Sequence, residues 1–558
     1  MTRVEAPQRS SSISAATEGM LATLDPEQRA AASLPDGPAL IIAPAGSGKT
    51  TTLIARLGVL LARGVAPERI AVATFNRDAA GELTARIRER LAAQHPEAPR
   101  IEVRTLHALA RQILLEHRGP LTLVSDRLPI LRGILRRAAD RGPRNPDEPL
   151  PEPAALDTEI SALKVEGRPA RHPALVEAYR SMLAIRGALD FDDLVTGAAD
   201  LLERDPAARL RWQGRFSHVC VDEFQDVDAA QLRLIRILAE PQRNLFVVGD
   251  DDQTIYAWRL ADVRRILSFE SLYPGARRVQ LATNYRCPAA VVAASRRLVE
   301  VNAERYAKRI RAGPNAVAGD AILALDTSAP GWADGLARLA ADEERAQRTI
   351  CFLARTRSEL EPMLVALARA GVPHRTSVGA LIQAEPVREL MQAARSLSAH
   401  SVPFEVLLAL RAGRGWRRGD AADALGDDEH AALDALLGWA AGFGRLDGFV
   451  AAHDAALERL EALRLPDARV ELVTVHAAKG REWQTVVVLG MEEERFPNRR
   501  SLVDAVDPAR ALEEERRLAY VALTRATGRL VLAGDPRRPS RFLAEMGLPT
   551  ARPPVPPR

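Results

Sequence analysis

The sequence predicts an α/β protein with two doubly wound parallel-sheet domains, and three observations carry that expectation. Short aliphatic or β-branched runs recur in the first half at Leu40-Ile41-Ile42, Ile70-Ala71-Val72-Ala73, Val219-Cys220-Val221 and Leu245-Phe246-Val247-Val248. A second set follows at Ile322-Leu323, Ile350 to Leu353, Val470 to Val475, Val486 to Leu489 and Leu530-Val531-Leu532. Runs this short and this apolar read as strands covered on both faces. Amphipathic Ala/Leu/Arg-rich stretches separate them, the alternation of a parallel sheet. That alternation breaks twice, at residues 113–186 and 401–465, where the pattern is helical; both read as insertions. The first holds a proline-rich loop (Pro143, Pro146, Pro149, Pro151, Pro153) and the second has Gly413, Gly415 and Gly419 near its start.

The ends lack periodicity. Residues 1–20 are Ser-rich and read as a tail, and Pro549, Pro553, Pro554, Pro556 and Pro557 make residues 549–558 a second tail with polyproline character. The expected organisation is a first α/β domain at 21–112 and 187–286, with a helical insertion at 113–186. A second α/β domain follows at 287–400 and 466–548, with a reduced insertion at 401–465.

Composition narrows the class. The 558 residues are 47% hydrophobic and 27% charged, as in a soluble globular protein, and no apolar run approaches the ~18 residues of a membrane span. The first residues carry no apolar core of a signal peptide. Three distant cysteines (Cys220, Cys287, Cys351) can build neither a disulfide framework nor a four-thiolate metal site. The cytoplasm is the expected compartment. The pI is ≈ 9.1, but a net charge of +4 over such a chain is weak evidence for nucleic acid, so any basic footprint must be local. Of the 77 basic residues four are lysines (Lys49, Lys164, Lys308, Lys479) and 73 are arginines, the drift of a GC-rich genome. Composition alone therefore rarely places a lysine in a motif.

One lysine stands in such a motif. After the first strand comes Ala43-Pro44-Ala45-Gly46-Ser47-Gly48-Lys49-Thr50, then the helical run from Thr51 to Leu61. Small residues let backbone N–H groups curl around phosphate oxygens, a lysine reaches the β- and γ-phosphates, and a hydroxyl serves Mg²⁺ at a helix N-terminus. Ala43 stands where the strict pattern has glycine. A Mg²⁺-dependent site also needs a carboxylate at a neighbouring strand end, and Val221-Asp222-Glu223 supplies two. Asp222 would hold the metal and Glu223 would take the proton of the attacking water. Upstream, Asp25-Pro26-Glu27-Gln28 has two readings: a capping box opening a helix, or a Gln28 amide that reads the edge of adenine.

These strings fall in the order of a known family. Ala43 to Leu53, Thr74 to Ala80, Thr105 to Ala108, Val221 to Asp226, Val248 to Arg259, Asn284-Tyr285-Arg286, Thr474 to Glu482 and Tyr520 to Ala526 resemble the motif series of UvrD/Rep/PcrA-like superfamily 1 helicases. Leu189 to Leu194 also resembles that family, and the likeness spans about residues 21–535.

The resemblance implies two RecA-like P-loop domains with ATP in the cleft between them, cradled by Ala45, Gly46, Ser47, Gly48, Lys49, Thr50 and Thr51. Mg²⁺ would be held by Thr50 and Asp222. Gln253 would sense the γ-phosphate, Arg286 and Arg525 would be arginine fingers, Tyr285 would stack on adenine and Glu482 would contact the ribose. Single-stranded DNA would lie on Phe75, Tyr256 and Trp258, with Arg259, Thr105 and His107 beside it. Lys479 falls in the fifth motif, whereas Lys164 and Lys308 read as ordinary surface residues.

Three departures stand out. Thr51 replaces an arginine usual in close relatives, Leu260 replaces the glycine usual after Trp-Arg, and the second insertion has about 65 residues where relatives carry well over one hundred. No Gly-Ile-Gly-type duplex-binding motif is found in it. The expected function is an ATP-dependent 3′-to-5′ DNA helicase and single-strand translocase, in repair or replication. It would be monomeric or weakly self-associating, would act on single-stranded and partially duplex DNA, and would meet repair proteins through its tails. The alternatives are a translocase that strips proteins from DNA with little unwinding, and a non-enzymatic, ATP-switched DNA-binding adaptor.

Overall fold

The computed structural model describes residues 15–140, 150–314, 316, 321–376, 381–417, 425 and 427–549. The chain divides into two compact units, Met1–Tyr285 with Glu304–Ile310, and Arg286–Ala303 with Arg311–Arg558. Each is built on a six-stranded parallel sheet.

The first sheet contains β1 (Ala39–Ile42), β2 (Ile70–Thr74), β3 (Glu102–Thr105), β4 (His218–Val221), β5 (Leu245–Gly249) and β6 (Arg277–Gln280), in the order β3-β2-β4-β5-β1-β6. Residues along its strands alternate between two cores. Leu40, Ile42, Val219, Val221, Leu245 and Val247 face one, packed on Leu109, Ile113, Leu194 and Leu234 from the helices Leu106–Arg118, Phe191–Arg204 and Ala229–Ala239. Ala39, Ile41, Ile70, Val72, Phe246 and Val248 face the other, packed on Leu53, Leu57, Leu83 and Ile87 from the helices Lys49–Ala62 and Arg77–Leu91. Strands covered on both faces must be apolar throughout, and this is why the sequence betrays them.

The second sheet contains β7 (Ile322–Asp326), β8 (Ile350–Ala354), β9 (Arg375–Thr376), β10 (Val470–Thr474), β11 (Trp483–Val488) and β12 (Ala526–Gly534), ordered β7-β12-β11-β8-β10-β9. Ile350, Phe352, Leu472, Val487 and Val531 pack on Leu336, Met363 and Leu367 of the helices Trp332–Arg345 and Glu361–Ala370.

Both interruptions are helical and have their own cores. In the first, Leu131, Ile134, Leu156, Ile160, Val176 and Tyr179 join the helices Leu128–Asp140, Pro153–Glu166 and Pro173–Ile185. In the second, Val387, Leu390, Leu407, Leu433, Leu436 and Phe449 join four helices, Glu385–Ala394, Pro403–Gly413, Asp427–Ala440 and Leu446–Leu463. The helical cluster thus begins before the expected boundary at 401, because Val387 and Leu390 bury with it rather than with the sheet. Pro143, Pro146, Pro149 and Gly419, and the proline tail from 550, lie outside the described residues.

The expected tail at 1–20 also needs correction. Residues Ala15–Ala22 form a helix, because Leu21 is buried with Leu24, Ala55 and Val59, and Met20 packs beside them. No helix among the described residues is long and apolar enough to cross a membrane, and the three cysteines are buried.

Candidate nucleotide and nucleic-acid site

In the first unit, residues 43–48 link β1 to the helix Lys49–Ala62. Gly46 and Gly48 have φ of 68° and 81°, the left-handed region where a Cβ clashes with the backbone. Gly48 is doubly constrained, since an added Cβ would lie 2.5 Å from Gln28 Nε2. That nitrogen donates to the Ser47 carbonyl (2.9 Å), while Gln28 Oε1 accepts the Asp25 N–H (3.3 Å) in a complete capping box on the helix Pro26–Ala32. The capping reading of Asp25 to Gln28 is therefore realised, and both ends of the Gln28 amide are engaged. The Tyr285 N–H donates to the Gly46 carbonyl (2.8 Å), and its half-exposed ring donates from the hydroxyl to Asp25 (2.7 Å). Gln28, Tyr285 and the phosphate loop thus adjoin one another. Ser47 is 1% exposed and its Oγ has no partner among the described residues, as suits a loop that wraps an anion. Thr50 and Thr51 begin the helix just beyond it.

The acidic strand end lies in the same unit. Lys49 Nζ is 3.2 Å from Glu223 Oε2. The same oxygen accepts from Gln225 Nε2 at 2.5 Å, and Gln225 Oε1 accepts the Asp250 N–H at 3.1 Å. Asp250 Oδ2 in turn accepts from Gln253 Nε2 at 2.7 Å. The approach is so close at Gly249 that a Cβ would come within 2.7 Å of Gln225 Oε1. Glu223 holds φ = 52° without being glycine, a strained conformation worth about 1–3 kcal/mol that recurs where a side chain must be aimed. Asp222 accepts the Glu223 N–H (2.9 Å). Its carboxylate and the Thr50 hydroxyl are oxygen donors of the hard class that Mg²⁺ takes.

Two lysines read as surface residues are hubs of ion pairs instead, Lys308 buried and Lys164 partly buried. Lys308 is fully enclosed at its side chain and lies 2.6, 2.6 and 2.9 Å from Asp250, Asp251 and Asp252. Burial alone would pull its ammonium down, but the three carboxylates hold it above its ordinary value. Arg305 adds a bidentate pair to Asp252 (3.0 and 2.8 Å). Lys164, from the first helical insertion, donates to Asp190 and Asp193 (2.6 and 2.8 Å), and Tyr179 also donates to Asp190 (2.8 Å). Burial opposes ionisation of Asp190, yet Arg127 and Lys164 outweigh it and bring the carboxyl to about 2. Lysine scarcity was the available signal. In a chain where arginine has replaced lysine almost everywhere, Lys49, Lys164 and Lys308 each stand against acidic groups, as suits a compact ammonium rather than a planar fork.

The candidate strand-binding residues form a ladder. The Phe75 and Tyr256 rings stack with centroids 4.7 Å apart at 19°, Trp258 lies 6.3 Å beyond Tyr256, and the Arg259 guanidinium sits 4.6 Å over Trp258. Trp258 is 57% exposed, which no core role explains. His107 meets Phe191 edge-on (5.9 Å), and burial depresses its imidazole so that it is neutral near pH 7. Thr105 is the N-cap of that helix, accepting the Ala108 N–H (3.1 Å). Phe75, His107, Asp222 and Glu223 are all among the residues that line one cavity. Leu260 keeps the left-handed backbone (φ = 64°) that its usual glycine would favour. The penalty, about 1–2 kcal/mol, is offset by burying its side chain, worth about 1.5–3 kcal/mol.

In the second unit, Arg286 Nε donates to Glu482 (2.6 Å) and its Nη1 to the Thr524 carbonyl (3.4 Å). Arg525 is 1% exposed and donates to the carbonyls of Val521 (2.9 Å) and Arg481 (3.2 Å) and to Thr524 Oγ1 (3.1 Å). Glu513 and Arg517, four residues apart, pair at 3.1 Å on the helix Pro508–Leu523.

Residues 24–131 and 154–274 match the UvrD/REP helicase N-terminal domain, and residues 445–534 match the UvrD-like helicase C-terminal domain. The chain is 26% identical to the ATP-dependent DNA helicase PcrA of Bacillus subtilis, over 94% of this chain and 86% of that protein. It is 34% identical to the proteins of that name from Staphylococcus epidermidis and Staphylococcus aureus, over 52% of this chain and 41% of theirs.

Proposed function

The chain belongs to the UvrD/Rep family of superfamily 1 helicases and is an ATP-dependent DNA helicase; from that premise we propose that it moves 3′-to-5′ along single-stranded DNA and separates duplex ahead of it. The observation that carries this reading is the hydrogen-bonded series Lys49–Glu223–Gln225–Asp250–Gln253, which shares a unit with the ladder Phe75–Tyr256–Trp258. Only a few side chains separate the hydrolytic groups from the strand-binding groups, so a change at one can be felt at the other.

Lys49 takes the β- and γ-phosphate oxygens in exchange for its pair with Glu223, and the released carboxylate accepts the proton of the attacking water. Thr50 and Asp222 would hold Mg²⁺, which would neutralise developing phosphate charge. Gln253, fixed through Asp250, senses the γ-phosphate, while Arg286 and Arg525 stabilise the transferred group. Tyr285 stacks on adenine. Gln28 braces the loop through Ser47, so reading adenine requires it to change partners. Glu482, half exposed and paired with Arg286, is the ribose contact. The remaining elements of the reading are a role in repair or replication, a cytoplasmic setting, repair partners met through the tails, and a monomeric or weakly associating state.

A second reading is a translocase that displaces proteins with little unwinding, favoured by the compact four-helix second insertion. Duplexes with a 3′ or a 5′ single-stranded overhang separate the readings. Strand release from the 3′ overhang alone is expected. ATP turnover without release supports the second reading, and release from the 5′ overhang reverses the polarity.

Trp258→Ala removes the most exposed ring of the ladder. It is expected to weaken oligonucleotide binding by about 1–3 kcal/mol, roughly fivefold to 150-fold, in a fluorescence anisotropy titration. Affinity should also fall steeply with salt. Unchanged oligonucleotide affinity would remove Trp258 from the strand path.

A further inference from the structure

Segment Glu304–Ile310 belongs to the first unit, although the residues on either side of it, 286–303 and 311 onward, belong to the second. It delivers three groups to one place. Lys308 bonds Asp250 and Asp251 (2.6 Å each), Arg305 grips Asp252, and the Tyr306 N–H donates to Asp251 (2.9 Å). All three aspartates are fully buried, and Gln253 is 3% exposed.

Asp250 is the junction. One carboxylate oxygen accepts from Lys308, the other accepts from Gln253 Nε2, and its backbone N–H reaches Gln225, which in turn holds Glu223. A buried carboxylate without a cation would lose its ionised form or turn away from the apolar interior. In either case the acceptor that orients the Gln253 amide, and with it the register of Gln225 on Glu223, is no longer fixed.

We propose that Lys308 is a positioning residue for ATP hydrolysis: by clamping Asp250 it sets the Gln253 amide and the Gln225–Glu223 hydrogen bond. The inference rests on reading the chain as an ATP hydrolase. It also gives the excursion of residues 304–310 a purpose, since a segment flanked on both sides by the second unit holds the γ-phosphate sensor of the first.

Removing the lysine alone would leave three buried carboxylates facing one arginine, and the protein could fail to fold. The test therefore pairs Lys308→Met with Asp251→Asn, which keeps the net charge of the cluster and retains an oxygen for the Tyr306 N–H. Asp250→Asn is made separately, with Lys308 still paired to Asp251 and Asp252. Each is also combined with Gln253→Ala, and steady-state ATP turnover is measured on saturating oligo-dT.

For both variants kcat is expected to fall at least about tenfold while KM for ATP stays within about threefold, the signature of lost transition-state contacts. Neither should lower kcat further in the Gln253→Ala background, because groups acting through one another are not additive. Wild-type kcat in either folded variant overturns the proposal, and so does a multiplicative loss with Gln253→Ala, the mark of a merely structural role. If the paired variant does not fold, Asp250→Asn decides by the same two criteria. The wild-type protein is the control for the underlying reading: no DNA-stimulated turnover there sinks the ATPase assignment, whereas wild-type turnover with unaffected variants sinks only the role of Lys308.

Discussion

Glu223→Gln is expected to lower ATP turnover on saturating single-stranded DNA by about 10²–10⁴-fold, the usual worth of a positioned general base. The substitution keeps the shape of the side chain and an oxygen that can accept from Gln225 (2.5 Å in the wild type). It removes only the capacity to take a proton. Affinity for ATP should not suffer. The Lys49 ammonium lies 3.2 Å from Glu223, in a pair whose side chains are 13% and 20% exposed, so the wild-type carboxylate competes with phosphate for that lysine. An amide competes less, so nucleotide should bind at least as tightly while hydrolysis stalls. Equilibrium binding and steady-state turnover on the same preparation separate the two effects. Turnover within twofold of the wild type would remove Glu223 from the chemistry.

Much of this site was legible in the sequence because its chemistry demands fixed residue types at fixed spacing. A phosphate loop needs Gly46 and Gly48 at positive φ, a lysine and a hydroxyl, all within a few residues. The central strands were legible for a different reason: covered on both faces, they could not be other than apolar. The strands of the two six-stranded sheets that escaped notice were Glu102–Thr105, Arg277–Gln280 and Arg375–Thr376. All three lie at sheet edges, where solvent reaches the side chains and the apolar signal disappears. The Lys308 clamp escaped for a third reason. Nothing local to residues 304–310 announces that the segment returns to the first unit, because its partners Asp250, Asp251 and Asp252 lie more than fifty positions upstream. Asp250 and its neighbours could be placed in a motif from sequence; the cation that neutralises them could be found only in three dimensions.

Arg286→Ala is expected to lower turnover by about 10³-fold or more, the range seen when an arginine finger is removed, and Arg286→Lys should not restore it. The residue closes the string Asn284-Tyr285-Arg286, which resembles the fourth motif of the family. The substitution is informative because the ion pair it breaks is largely exposed. Among its contacts, Arg286 gives up a pair with the 55%-exposed Glu482 and a long bond of 3.4 Å to the Thr524 carbonyl. An ion pair that exposed is worth about 1 kcal/mol of stability or less. A thousandfold fall in rate corresponds to about 4 kcal/mol, so the chemical effect would exceed the folding effect severalfold. Arg525 offers no such separation. It is buried, and deleting it would remove donors from the Val521 and Arg481 carbonyls; Val521 keeps the Thr524 hydroxyl, and a buried acceptor left unsatisfied costs about 1–3 kcal/mol. A slow Arg525→Ala protein could thus be slow because it is misfolded. Thermal melting alongside turnover makes the distinction for Arg286: an intact melting transition with lost turnover assigns it to the transferred phosphoryl group, and near-wild-type turnover excludes it as a finger.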